Sequence, residues 1–374
     1  MPLTELIKLR HDLHENPEIA GQETHTAERI LGFIDKLKPD HIIQNLGGTG
    51  LAFIFEGKKP GPRLLFRAEL DALPIHETGK PSYKSKLSGK AHLCGHDGHM
   101  VIICGLAEKL AAQRPENGEV VLLFQPAEET GEGAKRILED PNYDRIQPDY
   151  AFALHNLPGF PLHQVVVRQD TFAAGSVGLT ISLTGKTSHA AHPDAGINPA
   201  AAIAQMIQVL PKLTEKVRSF TLVTVIHAEL GSLAFGTSAG KGSLSLTIRA
   251  FDQDDLDRLK TLITKEAESI SKSEKLECNF SFVESFAVSK NDPHAAEIAK
   301  GAFKELGLDQ IEKEEPFRWS EDFGLFSQSC PSYLFGLGSG ESCPQLHEPS
   351  YDFPDELIET GVRIFEGIVR KVNG

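Results

Sequence analysis

EVVLLFQPAEE, residues 119–129, is the stretch on which the fold turns: five consecutive apolar residues run into Gln125, a proline, and then two adjacent carboxylates, Glu128 and Glu129. Two more stretches have the same form. RLLFRAELD, residues 63–71, ends on Asp71, and YAFALHN, residues 150–156, ends on His155 and Asn156. Short, unbroken apolar runs of this kind read as strands buried on both faces. Working outward, residues 4–15 are helical in period, with Leu6, Leu9 and Leu13 sharing a face. Residues 23–37 read as a second helix and LAFIFEG, residues 51–57, as a further strand. Strands separated by helices, with polar residues at the strand ends, predict an α/β domain on an open, mixed sheet with a ligand crevice at those ends.

The character changes near residue 175. SVGLTISLTGK, residues 176–186, alternates apolar and polar residues, as a strand with one solvated face does. A helix opens at Asn198-Pro199, a capping residue followed by proline at the first helical position. Strands at 219–230 and 242–251, a helix at 253–272 and a strand at 276–286 complete a β-α-β-β-α-β order, the ferredoxin-like pattern. After it, DPHAAEIAKGAFKELG is helical, SYLFGLGS is another buried strand, and 353–372 is a closing helix. The expected organisation is therefore a discontinuous domain, 1–174 and 287–374, interrupted by an inserted domain at 175–286.

Composition excludes several function classes. A chain of 374 residues is long for one core. A formal charge of −14 lacks the basic footprint of a nucleic-acid partner. No apolar run reaches membrane-spanning length, and MPLTELIKLRHDLHENPE lacks the unbroken apolar core of a secretion signal. Five scattered cysteines are not a disulfide framework, so a cytoplasmic location is expected.

The chemistry is concentrated in HLCGHDGHM, residues 92–100, where Cys94, His96, Asp97 and His99 fall within six residues ahead of an apolar helix. Gly95 and Gly98 permit tight backbone geometry there. Further candidates are the Glu128-Glu129 pair, His155 and His347, the last in the loop segment QLHEP. Adjacent carboxylates at a strand end repel unless cations neutralise them; one can bind metal while the other serves as a general base. Nitrogen donors with one thiolate and one carboxylate suit Zn²⁺, with Mn²⁺, Co²⁺ or Ni²⁺ as alternatives. Cys94, His96, one glutamate, His155 and His347 make five ligands. That is too many for one catalytic zinc with an open position and suits two ions, with Cys94 as the natural bridge.

Around this set, Asp71 is expected to accept a hydrogen bond from a ligand or an ordered water. Asp97 is expected to orient a ligand imidazole, and His99 to support the site or the core. In the insert, His189 is a donor that a second domain or second subunit brings to substrate. Arg249, on the strand SLSLTIRAF, either holds a substrate carboxylate or forms a cross-strand ion pair.

Eight ordered motifs carry a family resemblance: RHDLHENPE with a following Glu and Thr (10–26), RAELDALP (67–74), HLCGHDGHM, FQPAEE, ALHN, GKTSHAAHPDAGINPA (185–200), SEDF (320–323) and LHEPSYDF (346–353). With them the chain resembles the aminoacylase/carboxypeptidase-type metal-dependent amidohydrolases, a group that includes hippurate hydrolase, bacterial N-acyl-amino-acid and N-acetyl-diaminopimelate deacetylases, and plant hydrolases of indole-acetyl amino acids. The resemblance spans nearly the whole chain. It implies two metals per subunit, held by Cys94, His96, Glu129, His155 and His347, with Glu128 as general base and acid. It implies that His189 stabilises the oxyanion or holds the substrate carboxylate, and that the inserted lid domain mediates a homodimer.

Two departures stand out. Glu69 replaces the aspartate usual before the Ala-Leu-Pro segment, and GSLAFGTSAGKGS (231–243) lacks the asparagine of the substrate-lining segment in the insert. The activity implied is hydrolysis of the amide bond of an N-acyl amino acid carrying an acetyl, benzoyl or similar group. A dipeptidase or carboxypeptidase and a non-catalytic ligand-binding relative are the competing readings. A carrier would not need an unliganded base beside a full ligand set.

Overall fold

The computed structural model describes residues 3–374, which divide into two compact units. The first comprises the chain up to Phe172 together with Ser289–Pro316 and Asp322–Gly374. Its frame is an eight-stranded mixed sheet. Across it the strands run His41–Leu46, Gly50–Glu56, Asn117–Gln125, Lys59–Glu69, Tyr150–Leu157, Ser332–Gly338, Val165–Val167 and Gln310–Glu312. The four central strands, from Asn117–Gln125 to Ser332–Gly338, are mutually parallel, so their carboxyl ends open at one end of the sheet.

Burial explains the apolar runs. Every residue from Val120 to Gln125 and from Leu64 to Glu69 is buried, which requires cover on both faces. The helix His96–Ala112 supplies part of that cover and is itself buried nearly all round, from His96 through Ala107 and at Leu110. The amphipathic helix Leu357–Asn373 packs beside it, and the Phe365 ring packs on the sheet, tilted by 58° with its centroid 5.0 Å from that of Phe66. Close packing at the helix start depends on Gly98, where an added Cβ would lie 2.4 Å from the Phe353 ring. Gly98→Ala is therefore expected to cost about 1–3 kcal/mol by overpacking. An unchanged urea midpoint would show that the ring can yield.

Several elements differ from those predicted. The helix expected over 23–37 ends at Ile34 and tightens into a 3₁₀ turn, Asp35–Leu37, with Lys38 left-handed at φ 54°. An edge strand, His41–Leu46, follows that the sequence did not signal, because it is largely exposed and lacks an apolar run. The closing helix begins at Leu357 rather than 353, since Pro354 restricts the chain before it.

The second unit comprises Ala173–Val288 and Phe317–Glu321. Its main sheet has four antiparallel strands, in the order Thr221–Leu230, Lys241–Ala250, Gly175–Thr184, Glu277–Phe286. Helices Ala200–Val209 and Gln253–Ser273 cover one face through Ile181, Leu183, Met206, Leu246, Leu259 and Ile263. The segment Phe317–Glu321 lies far from this unit in sequence. Main-chain pairing of Ala173 with Phe317, and the bond from Ala174 N to Phe317 O at 2.9 Å, tie it in. Sequence periodicity carries no sign of such a return.

Candidate metal centre

The carboxyl ends of the parallel strands, and the loop before helix His96–Ala112, bring the candidate ligands together. Cys94 precedes Gly95, whose left-handed φ of 94° turns the chain into the helix that His96 begins. Asn156 fills the space a Cβ on Gly95 would need, at 2.5 Å. His155 lies within its strand opposite Gly336, and its Nε2 is 3.6 Å from Cys94 Sγ.

The hydrogen bonds of the two imidazoles settle which nitrogen each presents. His96 Nδ1 lies 2.8 Å from the Asp71 main-chain oxygen, and His155 Nδ1 2.9 Å from that of Asn156. A carbonyl oxygen can only accept, so each Nδ1 carries the proton and each Nε2 keeps a lone pair. Metal-binding histidines are commonly oriented in this way. The buried His96 Nε2 makes no hydrogen bond within the protein.

Glu128 and Glu129 sit in a turn beyond the end of the strand. The strand ends at Gln125, Pro126 has no amide hydrogen, and Ala127 is left-handed at φ 52°. The turn closes by Gly131 N donating to Glu128 O at 2.7 Å. Glu129 N donates to Asp71 Oδ2 at 2.9 Å, and Asp322 N to Glu128 Oε1 at 3.4 Å. The carboxylates then face the histidines: His96 Nε2 is 3.8 Å from Glu128 Oε2 and 3.9 Å from Glu129 Oε1. His347 joins from a half-exposed loop, its backbone left-handed at φ 67° and its amide bonded to Leu93 O at 2.8 Å. Its Nε2 is 3.6 Å from Glu129 Oε2.

The groups that form include Cys94–His96–His155, Cys94–Glu129–His347 and His96–Glu128–Glu129, each with its donor atoms within 4.8 Å of one another. Tetrahedral ligands on zinc lie about 3.3–3.8 Å apart, given bonds of about 2.0–2.3 Å. The separations and the soft, nitrogen-rich donor set therefore fit divalent metal, and the sharing of Cys94 between two groups fits two ions. In the chain by itself, burial holds His96 well below its ordinary value, hence neutral and ligand-ready. Burial, with the Glu23 charge adding to it, pushes the Asp71 carboxyl up to about 8 against the hydrogen bond from the Glu129 amide.

His99, Glu69 and Arg67 form hydrogen-bonded supports around these donors. His99 bridges Glu69 Oε2 at 2.7 Å and Asn156 Oδ1 at 2.6 Å. Burial penalises the Glu69 charge, but Arg67 and His99 outweigh it and hold that carboxyl well below its usual range. Arg67 also donates to Asp322 at 2.6 Å and to Gln125 at 3.0 Å, tying the SEDF segment to two strands. Asp97 does not orient a ligand imidazole as expected. Its Oδ2 accepts from Arg10 at 3.0 Å and from His14 at 2.9 Å, fixing the first helix beside the site.

That contact has a pH consequence. Burial opposes the charged His14 ring, yet hydrogen bonds to Asp97 and Glu77 raise its pKa from 6.5 to about 9. A raised folded-state value stabilises fully below the unfolded pKa and is lost as pH climbs through the folded one. The stability advantage of wild type over His14→Gln is therefore expected to be largest below pH 6.5 and to shrink up to about pH 9. Urea titrations at a series of pH values read it; a pH-independent difference would count against a charged His14.

His189 and Arg249 belong to the second unit. His189 is exposed on the two-residue strand Ser188–His189, paired with Thr237. Its Nδ1 accepts from Ala191 N at 3.0 Å, so the neutral ring carries its proton on Nε2, the reverse of His96 and His155. Arg249 spends one guanidinium nitrogen on the Arg318 main-chain oxygen and Ser320 Oγ, each at 3.0 Å.

The chain is 29% identical over 375 residues to the N-acetyldiaminopimelate deacetylase of Lactobacillus acidophilus, covering 98% of this chain and 97% of that protein. It is 28% identical over 366 residues to the N-acetylcysteine deacetylase of Bacillus subtilis, with 97% and 95% covered. The crystal structure of a dinuclear metal-binding M20 peptidase from Bacillus subtilis superposes with a TM-score of 0.84 at 26% identity, covering 98% of this chain and 97% of that one. The model of peptidase family M20/M25/M40 matches residues 65–371. With four-fifths of its length matched by that family's model, the chain belongs to peptidase family M20/M25/M40.

Proposed function

We propose that this protein hydrolyses the amide bond of N-acyl-L-amino acids, with Cys94, His96, Glu129, His155 and His347 holding two divalent ions and Glu128 as general base and acid. The observation that carries the reading is the pair of imidazoles whose Nδ1–H groups are committed to main-chain carbonyls, presenting both Nε2 atoms beside a thiol and two carboxylates. The names of the deacetylases to which the chain is similar support the substrate class.

Bound divalent ions acidify water and polarise an acyl oxygen. The chain does the rest. Glu128 is buried, and the Asp322 amide lies against its Oε1. Its carboxylate takes the proton of the attacking water and returns it to the departing amine nitrogen, one group serving both steps. Asp71 accepts the Glu129 amide and its main chain orients His96, so it positions two ligands at once. His189, with a proton on Nε2, suits a developing oxyanion or a substrate carboxylate, and Arg249 is assigned to that carboxylate. The second unit, with the strand order of a ferredoxin-like fold, is read as an inserted lid that also forms a homodimer. Its Leu233 and Phe235, each 93% exposed, suit burial against a second copy. No helix among the described residues is long and apolar enough to cross a membrane, and the reading needs no membrane or nucleic-acid partner.

The test is a hydrolysis screen of metal-stripped protein reconstituted with Zn²⁺, Mn²⁺, Co²⁺ or Ni²⁺. The panel holds N-acetyl, N-benzoyl and indole-acetyl amino acids beside free dipeptides, with metal content measured in parallel. Metal-dependent release of acyl groups is expected. Preferential cleavage of free dipeptides would move the protein to the peptidases, and two bound metals without turnover on the panel would refute the substrate class.

A further inference from the structure

The motif at residues 10–26 contributes a glutamate that the chemistry above leaves unused. Glu23 stands at the N-terminal cap position of helix Thr24–Ile34, where a polar side chain ordinarily accepts from its own helix. It does not do so. Glu18 takes that task, its Oε2 accepting from Thr26 N at 2.8 Å and Thr26 Oγ1 at 2.9 Å. Glu23 is fully buried and turns instead to two distant loops. Its Oε1 accepts from Ala127 N at 2.9 Å and Gly21 N at 2.8 Å, and its Oε2 from Thr49 Oγ1 at 2.8 Å.

Ala127 is the residue immediately before Glu128 and has a left-handed backbone, φ 52°. A side-chain-bearing residue in that region is disfavoured and persists only where its surroundings hold it. On the following residues the turn is pinned by Asp71 accepting from Glu129 N. On the preceding side Glu23 accepts the only amide hydrogen available, since Pro126 has none.

We infer that Glu23 is a positioning residue for Glu128: by holding the Ala127 amide it fixes the backbone turn that aims the base. This rests on the reading of Glu128 as the base. The contact requires an acceptor at Oε1 and no charge. Glutamine supplies that acceptor, and its amide group can donate to Thr49 Oγ1, so the two substitutions at this position separate.

The experiment compares Glu23→Gln, Glu23→Ala and Glu128→Gln. In Glu23→Ala, amide hydrogen exchange across residues 124–133 is expected to quicken by about tenfold through loss of the clamp. Its kcat should fall by about 10–100-fold through misplacement of the base, with KM within about twofold and metal content unchanged. Glu23→Gln should match wild type in both readouts. A purely structural Glu23 would lower the unfolding midpoint and leave kcat per folded molecule unaltered, which overturns the inference. Lost turnover in Glu128→Gln beside wild-type exchange and turnover in Glu23→Ala overturns it alone. Retained turnover in Glu128→Gln instead overturns the base assignment, and the inference falls with it. If Glu23→Ala does not fold, Glu23→Asp draws the carboxylate back by one methylene at unchanged charge and is read by the same criteria.

Discussion

Glu128→Gln is expected to lower kcat by about 10²–10⁴-fold while leaving both metals bound, the range over which positioned acid–base groups act. The substitution keeps the shape of a buried side chain and an oxygen to face the Asp322 amide, now 3.4 Å from Oε1. It removes the negative charge and with it the capacity to take up a proton. Glu129, which faces both His96 and His347, would still hold its place, so the effect should appear in kcat rather than in metal content. Steady-state kinetics with metal analysis on the same preparation decide the matter. A variant near wild-type rate would move the base elsewhere. One that loses metal would make Glu128 a ligand.

The second large effect is expected from Cys94→Ala. Its sulfur belongs to both the His96–His155 group and the Glu129–His347 group, so its loss touches two sites at once. Substitution of residues that merely orient ligands commonly costs 10–100-fold in metal affinity. Removal of a shared ligand is expected to weaken binding by at least about 100-fold, and occupancy of both ions should fall together. Alanine is smaller than cysteine and the side chain is buried, so folding should survive. Metal titration monitored by elemental analysis reads the outcome. Full occupancy in the variant would remove Cys94 from the ligand set, and loss of one ion alone would show that it does not bridge.

The pattern of strands was readable because burial on both faces leaves a local trace: Val120–Phe124, Leu64–Phe66 and Ala151–Leu154 are apolar without interruption. Cys94 and His96 could be picked out because a tight loop places them two residues apart. The role expected for Asp97 could not be read correctly, since its partners Arg10 and His14 lie 87 and 83 residues away. Nor could the supports of the turn, where Glu23 reaches across 104 residues to Ala127, or the tie of Arg67 to Asp322 across 255. No periodicity encodes such contacts.

Short windows of sequence thus held the candidate donors, the alternation of apolar strands with helices, and the motif order that marks the family. These are properties of short windows, where side-chain period and loop composition reflect which face is buried. Contacts made in the folded chain set which nitrogen of His96 and His155 faces the cluster, that Glu128 and Glu129 lie in a turn with a left-handed residue before it, and that Phe317–Glu321 returns to the second unit. The reason is physical: hydrogen-bond acceptance and side-chain aim are set by whatever the fold packs alongside, and the neighbours that set them here come from distant parts of the chain.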